Sequence, residues 1–201
     1  MKKKIIIISS PSGAGKTTIC KKIIRKNKKI QISISYTTRL KRKGEINNKD
    51  YYFVKNKEFL KLKKRNFFIE TARVFSNYYG SPFINIKKAF KKNKHILFDI
   101  DWQGAKLLRK TFDKNDIIDI FILPPNKKEL KRRLEKRGRD NSKEIKKRLS
   151  LAVNETSHFT EYKYVLVNDN ISSTVDKILK IIDFEILMDE ILTKVKKVNI
   201  Y

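Results

Sequence analysis

The chain has 201 residues, a length that fits one globular domain with inserted subdomains. Apolar residues make up 40% of it and recur at regular spacing, which excludes an intrinsically disordered chain. The net charge of +28 suits a polyanionic partner such as a nucleotide, a nucleic acid or an anionic membrane surface. Because the lysines are spread over every predicted element, we interpret most of this charge as the composition of a lysine-rich proteome.

The amino terminus and the cysteine content predict a soluble, cytoplasmic protein. The apolar run after the first lysines spans only Ile5 to Ile8, which is too short for the hydrophobic region of a signal peptide. No run in the sequence approaches the roughly 18 apolar residues of a membrane span. Cys20 is the only cysteine, so no internal disulfide can form, and we expect a reducing compartment.

The first half of the chain begins regularly and becomes rich in turns. Ile5 to Ile8 predicts a buried strand, which is followed by a glycine-rich turn and a helix. The alternation IQISISY at 30–36 predicts a half-buried strand. Further along the chain, the sequence predicts short strands at 50–54 and 66–72, a helix capped by Asn56, and a turn at 76–82, SNYYGSP.

The second half alternates strands and helices. Buried strands are predicted at 94–99, 116–123 and 163–169, and helices at 105–112, 126–140, 141–159 and 174–195. This alternation predicts an α/β fold around a parallel sheet. Ligands of such sheets bind at the carboxyl ends of the strands, where the glycine-rich turn and two aspartates are both expected.

The glycine-rich turn SPSGAGKT, residues 10–17, has the spacing of a Walker A loop, with Ser10 in place of the first glycine. Small residues let the backbone wrap a phosphate, and the following helix presents its positive end to the same anion. Lys16 can reach the β- and γ-phosphates, and the Thr17 hydroxyl can ligate Mg²⁺. A simple strand-to-helix turn does not require this combination, so we predict nucleotide binding. The predicted ATP-binding residues of the loop are Ser10, Pro11, Ser12, Gly13, Ala14, Gly15, Lys16, Thr17 and Thr18.

Acidic residues follow the second buried strand. Asp99 ends the run ILFD in a Walker B arrangement, which can hold Mg²⁺ directly or through water. Asp101 points the same way if the strand persists. The alternative is a pair of ordinary acids at a strand end, but the Walker A loop favours a metal site.

The arginines of the predicted helix at 126–140 allow two interpretations. A run of charge usually marks a solvated helix face. Arginines that close over a transferring phosphoryl group, however, stabilise its charge, and a hinged lid excludes water. Arg133 and Arg137 are four residues apart and share one face of the helix.

In their order and spacing, these stretches resemble a bacterial guanylate kinase over nearly the whole chain. The matching stretches are SPSGAGKT, SYTTRLKRKGE, DYYFV, FIE, NYYGS, DIDWQG, FILPP, LKRRLEKRGRD and VND. The resemblance implies a P-loop NTPase-type three-layer α/β fold with a parallel sheet, a mixed α/β GMP-binding insert and a small helical lid. The implied boundaries are 1–32, 91–125 and 150–201 for the core, 33–90 for the insert and 126–149 for the lid. The implied reaction is Mg²⁺-dependent phosphoryl transfer from ATP to GMP, giving ADP and GDP, with dGMP left open as a second acceptor.

The resemblance also implies roles for particular side chains. The implied GMP-binding residues are Ser35, Arg39, Arg42, Tyr51, Glu70, Tyr79, Gly80, Ser81 and Asp101. The implied catalytic residues are Lys16, Arg39, Arg133, Arg137 and Arg148, with Thr17 and Asp99 at the metal and Asn168 near adenine. Glu70 would face the base, and the chemistry supports this, because a carboxylate accepts both the N1–H and the N2 amine of guanine. Adenine offers no such pair of donors.

Three other functions compete with this interpretation. An interaction module of the same fold would bind a protein in the acceptor site, but such modules lack a working Walker loop. A nucleic-acid-binding protein would explain the charge, but it would need basic residues along one face and no Glu70. A related P-loop kinase would use another acceptor. We expect no membrane partner and no specific nucleic acid, although the charge allows non-specific RNA contact, and the oligomeric state stays open.

Overall fold

The computed structural model describes residues 2–136 and 142–198. Within these ranges the chain forms two β-sheets and seven α-helices, with 3-10 turns at Lys114–Asp116 and His158–Glu161. The strands are β1 (Ile5–Ser9), β2 (Ile30–Ile32), β3 (Tyr36–Thr37), β4 (Tyr52–Phe53), β5 (Phe68–Val74), β6 (Asn77–Pro82), β7 (His95–Asp99), β8 (Ile117–Leu123) and β9 (Tyr164–Val167). The helices are α1 (Lys16–Lys26), α2 (Asn56–Lys64), α3 (Ile84–Lys91), α4 (Trp102–Thr111), α5 (Lys127–Lys136), α6 (Ser142–Ser157) and α7 (Ile171–Val195).

Five strands form a parallel sheet at the centre of the protein. Their order is β2-β7-β1-β8-β9, so β1 lies in the middle, between β7 and β8. The isoleucines at 5–8 are all buried because helices cover both faces of the sheet. Helices α1 and α7 pack on one face, and α3 and α4 pack on the other. This confirms the predicted three-layer α/β fold, with Cys20 as a small core residue of α1.

Four more strands form a smaller mixed sheet inside the predicted insert. Its order is β4-β3-β6-β5, and β6 runs antiparallel to both of its neighbours. Phe59 of α2 is fully buried against this sheet. Its ring stacks on Phe68 and on Tyr78, with centroid distances of 4.6 and 5.4 Å. These aromatic rings form the core of the insert.

The predicted turn at 76–82 is wrong, because Asn77–Pro82 form β6. Asparagine, glycine and proline favour turns locally, but β6 is paired on both edges, and these non-local hydrogen bonds outweigh the local preference. The chain reverses just before β6, at Phe75, whose φ of 56° lies in the left-handed region.

The predicted strand at 30–36 is two strands in two sheets. β2 pairs with β7 in the core, whereas β3 pairs with β4 and β6 in the insert. Between them, the N–H of Ser33 donates to the carbonyl of Leu97, and the carbonyl of Ser35 accepts from the N–H of Tyr52. The alternation therefore predicted extended backbone, but it did not predict the change of partner.

Two predicted helix starts differ. Asn56 is the first residue of α2, and Lys55 rather than Asn56 occupies the N-cap position. Helix α7 ends at Val195 as predicted but begins at Ile171, three residues before the predicted start. Helix α6 runs unbroken to Ser157 and includes residue 149, and the lid boundary at that residue stays a prediction.

We expect the substitution Phe59→Ala to lower the free energy of unfolding by about 3–5 kcal/mol, because it leaves a cavity between two stacked rings. Urea denaturation followed by circular dichroism measures this loss. The matched control is Phe184→Ala on α7, where the side chain is 53% exposed and the loss should stay within about 0.5 kcal/mol. Equal losses in the two variants would contradict a buried aromatic core in the insert.

Candidate active site

One cavity of about 880 Å³ lies where the Walker loop, the insert and α6 meet. The predicted site residues that line it are Ser10, Pro11, Ser12, Gly13, Gly15, Lys16, Thr17, Thr18, Ser35, Arg39, Arg42, Tyr51, Glu70, Tyr79, Asp99, Asp101, Arg133 and Arg148. Four predicted residues do not line it, namely Ala14, Gly80, Ser81 and Asn168. Arg137 lies outside the residues that the structure describes.

The Walker loop owes its shape to two glycines. Gly13 and Gly15 have φ angles of 97° and 98°, which side chains rarely tolerate. A Cβ added at Gly13 would lie 2.8 Å from the side chain of Leu134, and one at Gly15 would lie 2.8 Å from the side-chain nitrogen of Asn168. Helix α1 starts at Lys16 without a side-chain cap, so the first amides of the helix are available to an anion.

Lys16 and Asp99 form an ion pair at the carboxyl edge of the core sheet. Burial lowers the pKa of the Lys16 ammonium, but its neighbours, with the Asp99 carboxylate first among them, together raise it by more, so the net pKa lies above its usual value. The lysine is therefore charged at neutral pH. Thr17 and Asp99 both line the cavity and offer oxygen ligands.

Glu70 is buried on β5, with only 3% of its surface exposed. Burial raises the pKa of its carboxyl to about 7 and the charge of Asp101 adds to the shift, while hydrogen bonds from Ser81 oppose it. Ser81 itself is fully buried, and its hydroxyl lies 2.9 Å from the hydroxyl of Ser35. Ser81 thus supports Glu70 from behind the cavity wall.

Asp101 caps the amino terminus of α4. One of its carboxylate oxygens accepts from the N–H of Gly104 at 3.0 Å, and the other accepts from the side-chain amide of Gln103 at 2.8 Å. Burial raises the pKa of this carboxyl. Asp101 and Glu70 therefore place two acids side by side at the insert end of the cavity.

Arginine and tyrosine side chains surround another part of the cavity. Tyr51 and Tyr79 meet edge to face at a centroid distance of 6.0 Å, and the Arg39 guanidinium lies 5.5 Å from the Tyr51 ring. Burial raises the pKa of the Tyr51 hydroxyl, so it stays a hydrogen-bond donor. Arg42 lines the same cavity. This group of donors suits a phosphate.

Glu45, which was not among the predicted site residues, orients this basic group. The two terminal nitrogens of Arg39 donate to its two carboxylate oxygens at 2.8 and 3.1 Å. The backbone N–H of Arg42 also donates to it, at 2.8 Å. The sequence feature that could have indicated this role is an acid six residues after an arginine, within a tight turn.

Helix α6 contacts the Walker loop through two side chains. The Arg148 guanidinium donates to the Ser12 hydroxyl at 2.8 Å, and the Ser12 N–H donates to the Glu155 carboxylate at 2.9 Å. Burial raises the pKa of the Glu155 carboxyl. Glu155 was not among the predicted site residues, although its position seven residues after Arg148 places both on one helix face.

Arg133 and Asn168 support the Walker loop from the other side. The Asn168 side-chain amide donates to the Ala14 carbonyl at 2.8 Å, and the Arg133 guanidinium donates to the Asn168 carbonyl at 2.9 Å. Asn168 is fully buried. Its observed contacts are thus with the loop, and its contact with adenine stays a prediction.

A phosphate-binding loop on the central strand, an acid on the next strand and arginines above them define a P-loop phosphotransferase. The insert beside the loop provides room for a second, small acceptor.

Comparisons with known proteins agree with this class. The sequence model of the guanylate kinase family matches residues 2–185. A guanylate kinase from Rickettsia prowazekii is 45% identical over 178 residues, which cover 89% of this chain and 89% of the relative. One from Blochmanniella pennsylvanica is 47% identical over 169 residues, covering 83% of this chain and 79% of the relative. The crystal structure of a guanylate kinase from Anaplasma phagocytophilum has a TM-score of 0.76 and 38% identity, covering 92% of this chain and 86% of that one.

The chain therefore belongs to the guanylate kinase family, whose members phosphorylate GMP with ATP. The predicted enzyme class, a nucleoside monophosphate kinase, is confirmed. In the described ranges, no helix is both long and apolar enough to span a bilayer.

We expect Glu45→Gln to raise the KM for GMP about tenfold and to leave the KM for ATP unchanged. The substitution removes the charge that holds Arg39 in place, and removing one partner of a partly buried ion pair weakens the site. Steady-state kinetics with each substrate varied in turn measures the split. The control is Glu58→Gln, which removes the same charge from an exposed position of the same insert. An equal change in both Michaelis constants would argue against this role.

Proposed function

We propose that this chain transfers the γ-phosphoryl group of ATP directly to the phosphate of GMP, with no covalent enzyme intermediate. The observation that carries the proposal is that the Lys16–Asp99 pair and the buried Glu70 line one cavity. Such a cavity can hold a triphosphate donor and a purine acceptor together. Catalysis of this kind rests on positioning and on charge stabilisation.

At the acceptor end, we assign Glu70 to the guanine base. Its ionised carboxylate accepts from N1–H and from the N2 amine, and it also accepts a hydrogen bond from Ser81, whose hydroxyl in turn contacts that of Ser35. Arg39, Arg42, Tyr51 and Tyr79 donate to the GMP phosphate. Asp101 and the backbone at Gly80 complete the acceptor site.

At the donor end, the backbone of residues 10–18 wraps the ATP phosphates, and Lys16 carries positive charge to the β- and γ-phosphates. Arg133 and Arg148 already contact the loop through Ala14 and Ser12, so they lie beside the transferring group. We extend this role to Arg137. We assign Asn168 to support of the loop as well as to the adenine side of the site.

The donor set at Thr17 and Asp99 fits Mg²⁺, which prefers oxygen ligands. Among the described residues, no three acidic, histidine or cysteine side chains cluster as a cage, so the remaining ligands would be nucleotide phosphates and water. When bound, Mg²⁺ neutralises charge on the phosphates.

We propose residues 1–32, 91–125 and 150–201 as the core, 33–90 as the acceptor-binding insert and 126–149 as the lid. Closure of insert and lid over the cavity would exclude water, which otherwise competes with GMP for the phosphoryl group.

We also propose that the protein acts in the cytoplasm and accepts dGMP as a second acceptor. Its high positive charge, we propose, does not serve to bind a specific nucleic acid.

Replacing Lys16 by alanine should lower kcat about 10²- to 10³-fold, because one charge at the transition state is lost. A coupled assay of ADP release with ATP, Mg²⁺ and GMP measures turnover, and AMP, CMP and UMP serve as parallel acceptors. Lys28→Ala, at an exposed position just beyond α1, is the matched control. Turnover with another acceptor but not with GMP would overturn the assignment of Glu70.

The KM for GMP should rise about tenfold as the pH falls from 8 to 6. GMP binds the ionised Glu70 carboxylate, whose pKa of about 7 makes the competent fraction fall about tenfold over this range. Initial rates at saturating ATP across this pH range provide the measurement.

The control for this pH profile is Glu70→Gln. It removes the titration and should raise the KM at every pH, because an amide offers one acceptor in place of two. The pH dependence that remains in this variant belongs to the GMP phosphate, whose second pKa is about 6. Identical pH profiles in the wild type and the variant would count against Glu70 as the titrating group.

A further inference from the structure

Gly104 occupies a helical position that does not need glycine for its backbone conformation. It is the third residue of α4, and its φ is not among the positive values found at Gly13, Gly15 and Gly44. Alanine is a better helix former at such a position. The glycine must therefore serve another purpose.

The missing side chain leaves the space that the Glu70 carboxylate fills. A Cβ built at Gly104 would lie 2.6 Å from Oε2 and 3.1 Å from Cδ of Glu70, and 3.3 Å from Cδ1 of Ile100. Carbon and oxygen do not approach to 2.6 Å without a shift of one of the two groups. Any side chain at this position therefore competes directly with Glu70.

The backbone of α4 cannot yield easily. The N–H of Gly104 donates to the capping carboxylate of Asp101 at 3.0 Å. The next turn of the helix is anchored in the core by Ala105 and Leu108, which are both fully buried. Because the helix is held at these points, an added methyl group would displace the carboxylate rather than the helix.

The direction of that displacement is also constrained. Glu70 pairs in register with Ser81 on β6, and Ser81 is fully buried behind it. Gly104 and Ile100 close the α4 side. The open side of the carboxylate is the cavity, so a displaced Glu70 would enter the volume assigned to the base.

We propose that Gly104 is a positioning residue that sets specificity for guanine. Because glycine has no side chain, the Glu70 carboxylate can lie against α4, in the position that a guanine base requires. This inference rests on the proposed role of Glu70. A base that offers both N1–H and the N2 amine benefits most from a correctly placed carboxylate. Discrimination between GMP and inosine monophosphate, which lacks only the amine, therefore depends on Gly104.

The test compares the wild type with Gly104→Ala, Glu70→Ala and the double variant. We expect Gly104→Ala to raise the KM for GMP at least about tenfold, to reduce the preference for GMP over inosine monophosphate, and to leave the KM for ATP unchanged. Its melting temperature should not fall by more than that of Lys106→Ala, an exposed control on the same helix.

The double variant separates positioning from a structural effect. With Glu70 already truncated, the closest neighbour left for the methyl group at position 104 is Cδ1 of Ile100 at 3.3 Å, which needs to move by only a few tenths of an ångström. Glu70→Ala and the double variant should therefore share one KM for GMP. A further rise in the KM for GMP in the double variant, or a KM for ATP that rises in parallel in Gly104→Ala, would overturn the proposal.

The single variants distinguish this proposal from the proposed function. An unchanged KM for GMP in Gly104→Ala beside a large rise in Glu70→Ala would overturn the proposal for Gly104 and leave the proposed function intact. An unchanged KM in Glu70→Ala would instead refute the assignment of Glu70, and the proposal for Gly104 with it.

Discussion

The parallel pairing of β1 with β7 is the constraint on which the rest of the site depends. Ile8 lies opposite Asp99 in the register of the two strands, so both strands deliver their following loops to one edge of the sheet. Lys16, at the end of the loop after β1, meets Asp99 there. Loss of this register would separate the lysine from the acid.

The buried carboxyl of Glu70 and the partly buried carboxyls of Asp101 and Glu155 line the cavity at some expense to the stability of the free protein. Burial raises the pKa of Glu70, Asp101 and Glu155, so their ionisation opposes folding as the pH rises from the unfolded pKa values through the folded ones. Each carboxyl is compensated in part, by Ser81, by the first turn of α4 and by the N–H of Ser12 respectively. Ligand donors can supply the remaining compensation, which is why such groups concentrate at binding sites.

The insert and α6 also meet each other across the cavity. Phe75, at the reversal between β5 and β6, lies 4.9 Å from the Arg148 guanidinium, and Arg148 in turn contacts Ser12 of the Walker loop. The smaller sheet, helix α6 and the Walker loop thus form one continuous chain of contacts along the cavity.

The sequence by itself determined the elements whose pattern is local. Ile5 to Ile8, the glycines of the Walker loop and Asp99 were predictable because a buried parallel strand and a phosphate loop each demand particular residues in direct succession. The family resemblance added Glu70 and the arginines, most of which the structure brings to one cavity. Only the tertiary structure decided that Asn77–Pro82 is a strand and that Asn168 supports the loop. It also decided that Glu45 and Glu155 contact Arg39 and Ser12, and that Gly104 leaves room for the Glu70 carboxylate. These features depend on contacts between residues far apart in the chain, or on the space that a partner side chain fills. The local secondary-structure propensities of the residues predict neither.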